Sequence, residues 1–486
     1  MNNEIIALAP KLLWDHFYQL TQIPRPSKKE QLAVKYVVDF GARLGLETIT
    51  DKVGNVIIRK PATPGYENCK GIVLQAHLDM VPQKNSDKQH DFEKDPIETY
   101  IEEGWVKAKG TTLGADNGIG AAAALAVLED DSLAHGPVEA LFTIDEETGM
   151  TGANNLQPDV LKGDILLNMD SEDEGELYVG CAGGSNGNMV FTFREDAVPK
   201  GHVAYQLKLS GLKGGHSGMD INTGRANANK LLFRFLKYAV AESEARLSSV
   251  DGGSLRNAIP REAFAVITLA KDEGENLEAT VKAFEALFRE EYSQVEPDLS
   301  FVVEPTAMPA FVMEEIVQDD LINAIQACPN GVIRMSNDME GLVETSLNLA
   351  VVKTEGHEVK ALALLRSSVD SAKDDLESTL ESLFLLAGAE VWFDGQYPGW
   401  KPNMQSDILK VMQKVYQQDF GKIPEIRAIH AGLECGILGS AYPNWDMISF
   451  GPTIRFPHSP DEKVNIESVE KFWNFLVATL KNAPRK

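Results

Sequence analysis

The chain has 486 residues, 43% hydrophobic and 24% charged, an ordinary globular composition that exceeds what one hydrophobic core usually holds, so two domains are expected. Its 72 acidic against 46 basic residues give a formal charge of -26, which repels phosphate backbones and anionic membranes, and no Lys/Arg block relieves it locally; nucleic acid is a poor partner. Cys69, Cys181, Cys328 and Cys435 lack the spacing of a zinc ribbon or a disulfide scaffold, no basic-then-apolar leader opens the chain, and no long uncharged apolar run offers a membrane span, so a soluble cytoplasmic protein of a reducing compartment is expected.

Helical spacing of apolar residues predicts helices over 12–19 and 29–45, ahead of short apolar or β-branched strands over 56–58, 72–76, 138–144 and 165–167. The Ala-rich stretch 120–128 reads as a buried helix between two of them, and this alternation predicts an α/β domain with a mostly parallel mixed sheet flanked by helices. After about residue 185 the composition changes. Strands over 203–209, 263–270 and 299–303 alternate with helices over 226–239 and 277–292. A comparable series follows: helix 314–327, strands 344–352 and 359–366, helix 374–387, strand 390–393, which together suggest two α+β halves without a letter-level repeat. The turn-rich segment 395–399 marks a return, followed by helix 406–420, strand 447–450 and helix 466–480. If His458 joins the earlier polar motifs, the chain is a discontinuous catalytic domain (1–190 and 397–486) with an inserted α+β lid (200–396).

Five motifs carry the chemistry. In residues 71–79 a buried strand gives way to polar residues at His77-Leu78-Asp79, which places His77 at the carboxyl end of the sheet, where sites in open α/β folds lie. Asp79 can hydrogen-bond the second imidazole nitrogen of His77. Standing alone, such a histidine is more often a satisfied core residue. Asp116 occupies a Gly-rich turn before the Ala-rich helix, where N-capping is the plainer reading. The adjoining Gly118-Ile119-Gly120-Ala121-Ala122-Ala123 formally fits a dinucleotide fingerprint, but 107–113 is polar where that motif needs a buried strand; close helix packing explains the small residues better.

Glu146 and Glu147 follow a strand, and neighbours in extended chain point to opposite sides, so one carboxylate can bind metal while the other faces substrate; solvated charge is the alternative. Asp170 ends the next strand, with Glu172, Asp173, Glu174 and Glu176 read as solvated loop. An EF-hand is excluded because its twelfth position, counted from Asp170, is Cys181. His458 lies after a strand between Pro457 and Pro460. His216, in Gly214-Gly215-His216-Ser217-Gly218, sits where glycines allow close approach of another backbone or ligand, although a tight turn has the same letters. His16, His90, His135, His202, His357 and His430 are read as surface or satisfied residues. Two imidazoles with several carboxylates form the donor set of a pair of divalent cations, that is, a two-zinc hydrolase site.

This arrangement resembles the co-catalytic zinc exopeptidases, the family that includes aminoacylases, acetylornithine deacetylases, carnosinases and bacterial dipeptidases, over the whole chain including the lid. Segments 74–84, 113–120, 212–218, 256–261 and 430–436 are most similar to its aminoacyl-histidine dipeptidase branch. The resemblance implies two Zn²⁺, replaceable by Mn²⁺ or Co²⁺, with His77 and Asp170 on one, Glu147 and His458 on the other, and Asp116 bridging. It implies that Asp79 orients His77, that Glu146 is general base toward a water between the cations, and that His216 hydrogen-bonds the oxyanion, within the chain or across a homodimer. Arg366 would grip the substrate carboxylate and Asn257 join the substrate contacts. The implied activity is hydrolysis of Xaa-His dipeptides, carnosine-like ones included; alternatives are a broader dipeptidase, a deacylase of N-acyl amino acids, or a non-catalytic metal-binding scaffold. Asn117-Gly118 stands where many relatives carry Asp and Lys, so substrate preference does not transfer from the wider family.

Overall fold

The computed structural model describes residues 4–486, apart from the side chain of Glu275. The chain divides into two compact units: one holds the residues up to Gly180 with Pro402–Ala428 and Leu433–Lys486, the other Cys181–Lys401 with Ile429–Gly432. The first unit is built on an eight-stranded mixed sheet that is parallel at its centre. There Val138–Thr143, Ile72–His77, Ile165–Asn168 and Asp446–Ser449 lie side by side in parallel. The first three are buried at every residue, as expected of parallel strands covered on both faces. Antiparallel Val56–Lys60 and Glu47–Thr50 extend one side. Beyond Asp446–Ser449 the order continues with Glu176–Cys181 and Glu425–Ile429.

Helix Ala115–Glu129 is buried almost throughout. A Cβ on Gly120 would lie 2.6 Å from the Met169 carbonyl oxygen, and one on Gly118 2.6 Å from an Arg25 nitrogen, so the small residues answer to close packing. The segment before it is no buried strand of the main sheet: Thr99–Glu102 and Trp105–Ala108 form a hairpin in a separate four-stranded sheet. The later helices start on real caps. Ser406 accepts the Leu409 N–H at 3.0 Å ahead of Asp407–Phe420, and Asn465 accepts the Ser468 N–H at 2.9 Å ahead of Ile466–Lys481.

The second unit carries a nine-stranded sheet whose order is Ser300–Pro305, His202–Ser210, Ala263–Ala270, Arg246–Gly252, Val343–Glu355, Glu358–Ser367, Gly183–Thr192 and Glu390–Tyr397, with Gly331–Met335 also paired to Val343–Glu355. The two expected halves therefore share one sheet, joined where Asp251 and Gly252 pair with Lys353 and Val352. Gly183–Thr192 belongs here, inserted between Glu358–Ser367 and Glu390–Tyr397, whereas the sequence reading ran the first domain to residue 190. Its opening residues Gly183-Gly184-Ser185-Asn186-Gly187-Asn188 have poor strand propensity. Closeness selects them instead, since a Cβ on Gly184 would meet the Tyr397 ring at 2.6 Å. Beneath helices Ala228–Ser243 and Lys271–Glu291 the core is aromatic, with Phe235 edge-on to Phe301 at 5.0 Å and to Phe284 at 5.1 Å.

Among the described residues no helix is long and apolar enough to cross a membrane. All four cysteines are buried thiols, and burial pushes Cys328 up to about 12. The folded Cys328 thus holds its proton more tightly than the unfolded one, so its contribution to stability is intact below about pH 9 and declines as the pH climbs toward 12. A thiol-reactive chromogenic disulfide is expected to titrate no cysteine in the native protein at pH 8 and all four in denaturant; a fast-reacting equivalent in native protein would contradict this packing.

Candidate metal centre

The last residue of Ile72–His77 is His77, 1% exposed. Its Nδ1 lies 3.1 Å from the Asp79 carbonyl oxygen, an acceptor, and 3.3 Å from Asp79 Oδ1, so Nδ1 donates and Nε2 carries the lone pair. That lone pair faces two carboxylate oxygens, Asp116 Oδ1 at 3.1 Å and Asp170 Oδ1 at 3.3 Å. Asp170 follows the neighbouring parallel strand Ile165–Asn168 and also accepts from Asn117 Nδ2. The second oxygen of Asp116 lies 3.2 Å from His458 Nε2, which in turn is 3.0 Å from Glu147 Oε2.

The donors thus fall into two triads that share Asp116: His77, Asp116 and Asp170; and Asp116, Glu147 and His458. In each, the ligand atoms lie within 4.8 Å of one another, and His77, Glu146 and Glu147 form an overlapping third group. Asp116 is not an N-cap. That position belongs to Gly114, and Asp116 itself breaks from helical geometry at φ -81 and ψ 112, which aims its carboxylate out of the helix start.

Glu146 and Glu147 do not continue the strand in extended form, as the sequence reading had them. Asp145 turns left-handed at φ 50 and the pair opens the short helix Glu146–Gly149, so helical rotation, not pleating, separates the two side chains. Asp79 accepts both of their backbone N–H groups, at 3.0 Å and 3.2 Å, together with the Ser27 hydroxyl at 2.8 Å. One carboxylate therefore holds His77 and the Glu146-Glu147 turn together. The acidic residues after Asp170 are not simply solvated either: Asp173 pairs with Arg455 at 2.7 Å, Glu176 with Arg427 at 3.2 Å, and Glu174 accepts from Tyr416.

The charges conflict without a cation. Burial works against Asp116, yet hydrogen bonds from His458 and His77 hold it below the usual carboxylate range. Asp170 is pushed up to about 6 by burial, which the His77 charge only partly offsets, and Glu146 is raised well above its ordinary value by burial with Asp170, Glu434 and Glu147 nearby. His458 is driven up to about 11 by its hydrogen bonds to Asp116 and Glu147. Both imidazoles must then be protonated to stand against so many carboxylates, while Glu147 Oε1 is buried with no hydrogen-bond partner among the described residues. Divalent cations fit this donor set: they take the place of those protons, and imidazole and carboxylate ligands without thiolate suit Zn²⁺, Mn²⁺ or Co²⁺.

In the second unit, His216 lies on the two-residue strand Gly215–His216 paired with Ala258–Ile259. Its Nδ1 accepts the N–H groups of Gly218 and Met219, both at 3.1 Å, so the proton sits on Nε2. Burial and the Arg366 charge lower its pKa and keep it neutral. Arg366 is 6% exposed and donates to the Tyr397 hydroxyl at 3.2 Å. Asn257 is exposed, and its carbonyl accepts the Ser217 N–H at 2.8 Å. His430, read from sequence as surface or satisfied, is buried with Nε2 2.7 Å from Ser346 Oγ, and burial together with Arg366 pushes it down to about 3.

Three further residues of the first unit bear on the site, and of these the sequence reading reaches only Glu434, as a partner for a substrate ammonium. Glu434 is fully buried, held at one oxygen by Gln75 Nε2 at 2.6 Å and Thr143 Oγ1 at 2.9 Å, and pushed up to about 8 by burial. Its sequence signal was its place in the Gly432 to Gly436 loop. Glu462 ends the His458 motif, and Arg25 lies between Pro24 and Pro26; nothing in their spacing announces a role.

An α/β unit with two carboxylate-imidazole triads sharing one aspartate is the frame of a dinuclear metallohydrolase, and the chain belongs to peptidase family M20/M25/M40, whose model matches residues 73–482. It is an enzyme, a metal-dependent peptidase. The chain is 49% identical over 484 residues to the cytosol non-specific dipeptidase of Escherichia coli, covering 100% of both. It is 52% identical to the aminoacylhistidine dipeptidase of Vibrio alginolyticus, whose crystal structure superposes with a TM-score of 0.97 over 100% of this chain and 99% of that one. The aminopeptidase PepT of Bacillus cereus, 16% identical, shares the fold at a TM-score of 0.57 over 98% and 99% of the two chains. The α/β class and the family resemblance expected from sequence both hold.

Chelation is expected to lower the thermal midpoint, because Asp116, Glu147 and Asp170 lose their counter-charge, and added Zn²⁺ should restore it. A cation at a thousand times its Kd contributes about 4 kcal/mol, a shift of several degrees. Identical melting curves with and without chelator would leave this cluster without a metal.

Proposed function

We propose that the chain is a dinuclear zinc dipeptidase that cleaves dipeptides with a free amino terminus and prefers Xaa-His substrates, carnosine-like ones included. The observation that carries this reading is the Asp116 carboxylate, one oxygen 3.1 Å from His77 Nε2 and the other 3.2 Å from His458 Nε2. His77 and Asp170 would hold one cation, Glu147 and His458 the other, with Asp116 common to both. Bound there, the cations would polarise the scissile carbonyl and make a water acidic enough to attack near neutral pH.

The remaining steps belong to side chains. Glu146 takes the proton of the attacking water and delivers it to the leaving amine. Its backbone is fixed by Asp79, so the base and His77 share one anchor. His216 donates from Nε2 to the developing oxyanion; a neutral donor whose Nδ1 is already occupied loses little orientational freedom in doing so. Arg366 receives the substrate carboxylate, and Asn257 lines the approach. Glu434 supplies the counter-charge for the substrate ammonium, since its Oε1 is buried with no hydrogen-bond partner among the described residues.

That last carboxylate favours a free-amine dipeptide over an N-acyl amino acid, which presents no cation. The names of the similar proteins support dipeptide cleavage and divide on breadth, one non-specific and one aminoacylhistidine. In this reading the second unit serves as a lid inserted in the catalytic domain, and the working form is a cytoplasmic homodimer.

Glu146→Gln is expected to retain two metal equivalents while kcat falls at least 100-fold; undiminished turnover removes the general base. The purified enzyme should hydrolyse β-alanyl-histidine and other Xaa-His dipeptides faster than Xaa-Ala, and leave their N-acetyl analogues intact. Cleavage of the acetylated compounds alone would make the chain a deacylase. Glu434→Gln should raise KM for free dipeptides about tenfold or more with a smaller change in kcat, whereas an unchanged KM assigns the ammonium elsewhere.

A further inference from the structure

Glu462 lies four residues beyond His458 and is 2% exposed. Its Oε2 accepts the backbone N–H groups of Leu113 at 2.7 Å and Gly114 at 3.0 Å, and its Oε1 accepts those of Ala115 at 2.7 Å and Asp116 at 3.3 Å. Four consecutive main-chain donors thus converge on one carboxylate. Gly114 stands at φ 71, a left-handed turn that directs successive N–H groups toward a common anion. No ordinary loop needs such an arrangement, because burying a carboxylate is costly and a hydroxyl or water could satisfy one or two N–H groups at less expense.

The segment is gripped from its carbonyl side as well. Arg25, 2% exposed, donates through Nη2 to the Gly114 carbonyl at 2.5 Å and through Nη1 to the carbonyls of Leu78 at 2.9 Å and Asp79 at 3.0 Å. A side chain on Gly114 would collide with that guanidinium, its Cβ 2.6 Å from Arg25 Nη2. The loop after His77, the segment before Asp116 and the loop of His458 are therefore joined in series by two buried charges. At the far end the His458 loop is itself held in an unfavourable form: Phe456 and His458 have φ of 56 and 59, which non-glycine residues adopt only when neighbours enforce it. The Glu462 N–H to Ser459 carbonyl bond at 3.0 Å and the Ser459 hydroxyl to Phe456 carbonyl bond at 2.8 Å close that loop onto the glutamate.

We infer that Glu462 is a positioning residue for the metal centre: it locks residues 113–116 to the His458 loop so that Asp116 presents one oxygen to each imidazole before any cation arrives. The inference rests on the reading of Asp116 as the ligand common to both cations. Glu462 touches neither cation nor substrate, and it acts on the affinity of the centre by removing the loop ordering that binding would otherwise require. Because it is covalently part of the His458 loop, its loss falls hardest on the cation held by Glu147 and His458; His77 and Asp170 keep their own strands, and the loop after His77 keeps its Arg25 contacts.

The test is a calorimetric titration of the full-length, cation-free protein with Zn²⁺, comparing wild type with Glu462→Gln and Glu462→Asp. Glutamine keeps the length but turns an N–H₂ toward two of the four donors, and aspartate keeps the charge but is too short to span both pairs. Wild type is expected to bind two Zn²⁺. In both variants one equivalent should lose about 10- to 100-fold in affinity while the other changes little. Should Glu462→Gln fail to fold, Glu462→Asp carries the same comparison. Two equivalents with unchanged affinities, or an equal loss at both, would overturn the inference, the latter by showing a general destabilisation. Fewer than two equivalents in wild type would instead remove the shared-ligand reading on which it stands.

Discussion

A single carboxylate held between two imidazoles, Asp116 between His77 and His458, sets the terms for the rest of the first unit. Each imidazole also faces a second carboxylate, Asp170 or Glu147, and Glu146 lies beside them. Like charges at such separations in a buried site are tolerable only with counter-charge among them. The sheet brings this about without strain, because His77, Glu146-Glu147 and Asp170 all follow the carboxyl ends of adjacent parallel strands, where chains that arrive in register release their polar tips on one side. The parallel topology and the metal chemistry are in this sense one decision: a sheet of alternating direction would send neighbouring tips to opposite edges.

Supporting charges convert that convergence into fixed geometry. Asp79 accepts from His77 Nδ1 and from the two N–H groups that open the Glu146 turn, so one buried carboxylate sets the tautomer of His77 and the backbone of the glutamate pair. His77, Glu146 and Glu147 consequently respond as a unit to anything that disturbs Asp79. On the other side, Glu462 and Arg25 act on main chain alone. This division explains why so much charge is buried around the centre: side chains that touch the ligand atoms have to leave lone pairs available, and the anchoring falls to residues that grip peptide groups.

Much of the centre was legible in the letters, and for a definable reason. His77, Glu146, Glu147 and Asp170 each follow an apolar run that is a buried strand, and a buried strand ending in an acidic or imidazole side chain is visible without coordinates. What could not be read were relations that depend on backbone geometry. The left-handed Asp145 turns the glutamate pair into a helical start, and the break at Asp116 frees a side chain that resembles a cap. Arg25 and Glu462 are ordinary charged letters that stand out only once burial and partners are known. In the second unit, Gly183–Thr192 was missed as an inner strand because its glycines answer to close neighbours, the Tyr397 ring at Gly184 among them, and not to strand propensity.

The two units, each taken by itself, leave charges of opposite sign incompletely answered. In the first, Glu434 is held by two neutral donors at one oxygen and lacks an ion-pair partner among the described residues. In the second, Arg366 donates to a tyrosine hydroxyl, keeps a buried Nε without an acceptor among the described residues, and likewise makes no ion pair. Burying such groups is unfavourable, and Glu434 responds by holding its proton up to about 8, so each is retained against a cost that an apolar residue would avoid. Within each unit, therefore, such a group is kept for its chemistry and not for its packing, since an apolar side chain of similar volume would fill the same space without the penalty.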